Sequence, residues 1–350
     1  MEGIESLEDM RRYQRGAGRR AATTVAASAA FLAALFFVTL TIGNYGISLG
    51  DVFGILLGSV RDDTAEYVLK DVRIPRLLCA VIVGSALSTS GLAMQSMFKN
   101  PMASPSVLGI SSGAAFGASL ALAFGAGSFL GSFAVPGMAF IFCFLTMGAV
   151  YLIAHTKYGV ASVTLLLAGI AMGAFFGGLT SLMQYMVRDD VLASIVYWTM
   201  GSFNNCGWTS FKLAILPIAA GIAIMMLSVR ELNLISSGED QASNMGVNVK
   251  RLRIMMIVAA SLSVGGSVAI SGVIGFVGLI VPHIFRMIAG PNHAVLMPLC
   301  VFGGGAFMLL MDTVAKSAFE MILPVGVLTS LVGAPFFIYV MRARKKELWG

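Results

Sequence analysis

Charge is what this chain has least of. Of its 350 residues only 11% are Asp, Glu, Lys or Arg, against 57% that are hydrophobic, and mean hydropathy is +0.87. A soluble domain carries about 25% charged residues, so there are too few here to cover a water-facing surface. That shortage excludes a disordered chain and a soluble nucleic-acid-binding domain, and it points to a polytopic membrane protein. The net charge of +6 does not reverse this. The basic residues sit in short runs beside apolar stretches, the pattern of topology signals rather than of a nucleic-acid face.

Cysteine and histidine are also scarce. Cys79, Cys143, Cys206 and Cys300 form no CxxC and three lie in apolar stretches, which suggests neither a metal site nor a disulfide framework. The three histidines, His155, His283 and His293, all map to inner helix ends. Of the 17 acidic residues only Asp312 falls within a span, near its outer end. An ion-coupled secondary transporter uses carboxylates or a His relay near the bilayer midplane. That class is therefore the alternative reading, with Asp312 its one candidate. There is no HExxH and no acid pair at depth, so a membrane protease is not indicated. No Lys follows a Gly, which makes a GxxxxGK[ST] phosphate loop impossible. If ATP drives this protein, another polypeptide binds it. No catalytic residue, metal or cofactor is expected on this chain.

What is present is apolar sequence in blocks of membrane length, about 20 residues each. Ten spans are expected, over 22–43, 76–98, 107–127, 130–154, 160–186, 210–229, 252–271, 273–289, 293–313 and 326–342. The first twenty residues are polar and basic, and the apolar run after them is too long for a signal h-region. With the N-terminus inside, the inner segments hold 16 Lys and Arg and the outer ones 7, together the chain's 23. This agrees with the positive-inside rule, and an even span count puts both basic tails in the cytoplasm. The expected organisation is an all-α membrane protein. It has a cytoplasmic tail over 1–21, one transmembrane domain over 22–342 and a cytoplasmic tail over 343–350. The domain includes an outer segment over 44–75 and a cytoplasmic segment over 231–250.

Both segments carry local signals. The outer one contains GISLGDVFGILLGSV, a candidate interfacial helix, followed by the charged RDDTAEYVLKDVRIPR. In the cytoplasmic one, Ser237 or Gly238 can cap a short helix, Glu239 and Asp240 suit its first turn, and Gly246 can stop it. Such a helix could contact a cytosolic partner or be an ordinary connection. Gly169, Gly173 and Gly177 recur every four residues and allow close backbone approach, either within the subunit or at a subunit interface or pathway wall. Gly113 and Gly117 repeat the idea. Met172, Met183 and Met186 are either pliable core or lining for a bulky ligand. Gln95, a polar group at depth, either bonds a neighbouring helix, the favoured reading, or contacts substrate. The stretch KNPMASPSVLGISSGAA, Lys99 to Ala115, breaks regular helix at Pro101 and Pro105, so it marks a re-entrant bend or a tight turn.

RIPRLLCAVIVGSALSTSGLAMQSMFKNPMASPSVLGISSGAA resembles the signature of FecCD-type permeases. These are membrane subunits of type II ABC importers for iron–siderophore complexes, haem and cobalamin. The resemblance continues through SVTLLLAGIAMG, YWTMGSF, GEDQASNMGV, SGVIGFVGLIVPHIFRMIAGPNHAVLMP and LPVGVLTSLVGAPFFIYVM, from about Arg73 to Met341 in the family's order. It implies a ten-span permease fold working as a homodimer or a paired heterodimer, with a pathway along the two-fold axis. It further implies two cytosolic ATPase subunits, an extracytoplasmic substrate-binding protein and a place in the cell membrane. By residue, it implies that Arg73 and Arg76 receive acidic side chains of the binding protein. Lys316 stands at a third docking position that is often Arg in the family, and a Lys there loses bidentate carboxylate binding. Glu239, Asp240, Ala242, Met245 and Gly246 match the helix that couples to the ATPase. Ser162 and Thr164 resemble the cytoplasmic gate, in the sequence VASVT.

Overall fold

The structure, a computed structural model, describes residues 7–59, 62–124, 131–156, 159–160, 162–317 and 321–343. The described chain is almost wholly helical. Its helices are α1 (Leu7–Thr41), α2 (Leu49–Leu56), α3 (Asp63–Tyr67), α4 (Ile74–Phe98), α5 (Ile110–Ala123), α6 (Ala134–Ala154), α7 (Ser162–Met186) and α8 (Asp189–Thr199). After these come α9 (Trp208–Leu227), α10 (Val229–Ser237), α11 (Glu239–Asn244), α12 (Val249–Ser271), α13 (Val277–Ala289), α14 (His293–Ser317) and α15 (Val325–Ala343). One antiparallel pair of two-residue strands, β1 (His155–Thr156) and β2 (Gly159–Val160), joins α6 to α7.

Among the described residues, seven helical stretches are long and apolar enough to cross a membrane, and α5, α13 and α15 are shorter apolar helices. They correspond one to one with the ten expected spans. The two short helices α5 and α13 each rise only about 20 Å, less than the hydrocarbon core of about 30 Å. Irregular backbone over 99–109 and 272–276 precedes them. Such backbone is tolerated at membrane depth only where protein covers it, and here it is covered. Gly109 lies against Gly169 and Gly173, Val273 lies against Gly201, and Gly278 lies against Gly91. The stretch after α4 therefore dips back into the bundle. Lys99 closes α4 in a left-handed conformation with φ 48°, the geometry of a helix C-cap.

The bundle is built around α4. In its most apolar window 83% of residues are buried inside the subunit, against none in α1. This follows from its small residues. A Cβ on Gly84 would collide with the backbone of Gly304 in α14, and one on Gly91 with the backbone of Gly278 in α13. At this separation side chains can bond across helices, as membrane helix pairs do. Ser85 Oγ donates to Val301 O at 2.7 Å and Ser88 Oγ to Cys300 O at 2.6 Å. Gln95 Nε2 donates to Gly278 O at 3.1 Å, as expected of a polar group at depth. Gly113 and Gly117 pack α5 against Thr146, Phe142 and Met138 of α6.

Three readings of the sequence change. The α4 helix does not begin near Arg76. A continuous helix runs back through a π-helical turn (Val68–Arg73) to Asp63, where Asp62 caps the N-terminus through Thr64 N and Ala65 N. The charged residues there hid it. Asp189–Thr199 and Val229–Ser237 are helices too, between spans where only connections are expected. The N-terminal helix starts at Leu7, well before the expected span at 22. Within GISLGDVFGILLGSV, Leu49–Leu56 is a short helix, as expected. Ser48 Oγ caps α2, and its hydrogen bond to Asp51 holds that carboxyl below the ordinary carboxylate range. The C-terminal tail lies outside the described residues from 344 onward.

Candidate functional site

Two polar clusters stand at opposite ends of the bundle. The first lies near 44–73. Arg73 and Arg76 sit one turn apart at the head of α4, yet both are buried. Arg73 donates through Nη1 to Leu40 O at 2.6 Å and through Nη2 to Tyr45 O, tying α1 and the following loop to α4. Arg76 turns toward α14. Its Nη2 lies 2.7 Å from Asp312 Oδ1, its Nε lies 3.1 Å from Oδ2, and its Nη1 donates to Asn204 Oδ1 at 2.9 Å. Lys316, one turn along α14, reaches Asp312 Oδ2 at 2.9 Å. Asp312 is fully buried. A buried carboxylate persists only when its charge and lone pairs are met, and two cations meet them here. With one anion between two cations, the cluster keeps one net positive charge.

The second cluster lies along 231–250. Gly238 N-caps α11, whose first turn carries Glu239 and Asp240. Ala242 is buried under it, while Met245 is exposed beside it. Gly246 takes φ +86°, a left-handed value that suits glycine, and it ends the helix. Glu239 Oε1 lies 2.7 Å from Arg253 Nη2 of α12, so the short helix is pinned to a membrane helix. The preceding α10 is pinned as well. Asn233 Oδ1 accepts from His293 N at 2.8 Å and lies 2.9 Å from His293 Nδ1, and the other ring nitrogen faces Ser96 Oγ of α4. Asn204, Asn233 and Ser96 were not singled out by sequence reading, and His293 was placed only at an inner helix end. Their partners lie between 60 and 197 residues away in the chain, so no local spacing marks them.

The α7 stripe divides. Gly169 lies against the backbone of Leu108, and Gly173 meets Gly109 at ordinary contact distance. These two pack the re-entrant segment. Gly177 has open space where a Cβ would stand, amid exposed Phe175, Leu182 and Tyr185. Ser162 begins α7 and Thr164 is half-buried in its first turn. Gly177 is three to four turns away from them, so these five residues line one helix rather than one site.

The first cluster is not the open docking pair expected from the sequence: Arg73 and Arg76 are buried, and their guanidinium groups are bonded to Leu40 O, Tyr45 O, Asn204 and Asp312 within the subunit. Residues 31–343 match the FecCD transport family, and this chain belongs to that family. As such it is a multi-pass membrane protein and the translocation subunit of an ABC importer, whose ATP is hydrolysed by a separate subunit. It is 37% identical over 284 residues to the cobalamin import system permease protein of Halobacterium salinarum, covering 81% of this chain and 75% of that one. It is likewise 37% identical over 308 residues to the molybdate import system permease protein of Haemophilus influenzae, covering 86% and 89%. Among solved structures, an inward-facing conformation of a candidate metal-chelate type ABC transporter superposes with a TM-score of 0.82 at 34% identity. It covers 92% of this chain and 99% of that one.

Proposed function

We propose that this chain forms half of the pathway of a cell-membrane importer for an iron–siderophore chelate, with haem and cobalamin as competing cargoes. In this reading both termini and 231–250 are cytoplasmic, and 44–75 is outside. A second copy completes the pathway, two ATPase subunits bind at α11, and an acidic binding protein is drawn to the net positive charge of the Arg76–Asp312–Lys316 cluster, in which Lys316 is the more exposed cation. One observation carries the mechanism: Asp312 is the only Asp or Glu among the described residues that is buried as a whole side chain, and Arg76 and Lys316 already hold it. An ion-coupled transporter needs an acid at depth that is free to exchange its ion. The energy therefore enters through a partner. The cargo reading has weaker support. Relatives of equal identity import cobalamin and molybdate, so likeness alone does not choose, while the Gly- and Met-rich face of α7 suits a bulky, loosely held ligand.

The test is reconstitution into liposomes. The chain is inserted alone, then with its ATPase and binding protein, and offered a radio-iron hydroxamate siderophore, haem and cobalamin. ATP-dependent accumulation of the siderophore, seen only with both partners, is the expected result. Accumulation by the chain alone on a proton or sodium gradient overturns the reading.

Two residue-level outcomes belong with it. Gly246→Val places a β-branched residue at a left-handed position, a strain of about 1–3 kcal/mol, in a spot with no neighbours to clash. Cargo moved per ATP hydrolysed should fall severalfold while assembly persists. An unchanged ratio would remove the coupling assignment of α11. Lys316→Gln should slow association of the binding protein at low salt, and the gap from wild type should close as ionic strength rises. A salt-independent difference, or none, argues against docking by charge.

A further inference from the structure

Where the ends of α9 and α12 approach 231–250, a cavity of about 450 Å³ opens. Its lining includes Leu227, Arg230, Glu231, Arg251 and Met255, and it borders the coupling segment at Met245 and Gly246. That volume lies within the roughly 300–1,000 Å³ typical of small-ligand sites. Its polar side has an unusual composition. Arg230 and Arg251 are exposed and make no ion pair among the described residues. In the same lining, Glu231 Oε2 is buried with no hydrogen-bond partner among the described residues. A buried carboxylate oxygen left in this way favours any ligand that donates to it. The apolar side comes from Leu252 and Met255 in the first turns of α12 and from Leu227, 84% exposed at the end of a membrane-length helix. The cavity thus sets a basic side against an apolar side at the end of a membrane-length helix.

A matching ligand needs a phosphate for two arginines, an N–H cation for Glu231 and a hydrocarbon tail. A glycerol headgroup lacks the cation, and a choline headgroup has a cation with no N–H to donate. We propose that this cavity holds the headgroup of an ethanolamine phospholipid from the leaflet facing 231–250. Its phosphate lies against Arg230 and Arg251, and its ammonium donates to Glu231. Basic pockets between membrane helices bind phosphate headgroups by the same electrostatics. The lipid would then brace the short helices α10 and α11 against α9 and α12.

The test uses the purified full chain in nanodiscs of equal parts ethanolamine, glycerol and choline phospholipid, released and weighed by native mass spectrometry. Wild type should retain an ethanolamine lipid in preference to the other two. Equal retention of all three, or preference for glycerol or choline lipid, overturns the proposal, and this arm needs no variant to fold. Arg230→Gln with Arg251→Gln should lower retention about tenfold or more. Glu231→Gln should shift retention toward the glycerol lipid. Unchanged retention in folded variants overturns the assignment. Free glycerophosphoethanolamine is the control for source: if it displaces the lipid at equal concentration, the site takes a soluble phosphate ester instead. In the importer assembled with its ATPase, the lipid should remain bound. Its loss, with cross-links from Arg251→Cys to the ATPase, would assign the cavity to that subunit. This last arm fails independently of the cargo, since it depends only on assembly.

Discussion

Asp312→Ala is expected to destabilise the folded chain by about 3–5 kcal/mol, the usual cost of leaving a buried charge without its partner. The variant strands Arg76, whose side chain is 11% exposed, and Lys316, at 20%, with no anion between them. Arg76 keeps its bond to Asn204, but a neutral amide does not offset a cation's lost hydration. A melting curve in detergent followed by gel filtration should show the midpoint falling on the order of 10 °C. Replacing all three, Arg76→Met, Asp312→Leu and Lys316→Met, should recover much of that loss, because apolar groups of similar volume often match a buried ion pair. If the triple variant is as damaged as the single, the cluster acts through shape rather than charge. The triple variant also separates stability from function. It should fold yet fail to bind an acidic docking protein.

That cluster shows where sequence reading stops. Spans are legible because the bilayer imposes one length and one composition on each, and the seven long and three short apolar helices follow that pattern. The short coupling helix was legible from Gly238, its acids and Gly246, whose roles are local. By contrast, Arg76 and Asp312 are 236 residues apart. Nothing local says that an arginine at the head of one span meets the single acid of another. The residues were found, but their exposure was misjudged, because a charged residue next to a span reads as surface. The same bias hid the helix over Asp63–Arg73, where DDTAEYVLKDVR looks like loop until Asp62 is seen capping it. The helix Val229–Ser237 was missed for another reason. It is too short to show a period, and only Leu232 and Ile235 are buried on it. The glycines of α7 were correctly singled out, but spacing alone could not say that Gly169 faces the subunit's own backbone and Gly177 faces away.

Gly84→Val should be among the most damaging single changes in the membrane interior. The new Cβ would meet the carbonyl of Gly304, and backbone in the middle of a packed helix cannot rotate aside as a long side chain can. The helices α4 and α14 must separate. Separation lengthens the bonds from Ser85 to Val301 O and from Ser88 to Cys300 O, each worth about 0.6 kcal/mol on average between membrane helices. Overpacking adds about 1–3 kcal/mol. It also loosens the contact that aligns Arg76 with Asp312, because both pairs of residues lie along the same two helices. The expected result is loss of monodisperse protein on detergent extraction. Gly177→Val is the matched comparison. It makes the same chemical change in a membrane helix, but its Cβ enters open space, so the isolated chain should fold normally. If a second copy packs against that face of α7, the added methyl groups should lower the dimer fraction at fixed protein concentration. A Gly177→Val chain that both folds and dimerises like wild type would move the partner interface off this stripe. A Gly84→Val chain that extracts like wild type would mean that α4 and α14 can part without cost, and with that the central role given to α4 would be lost.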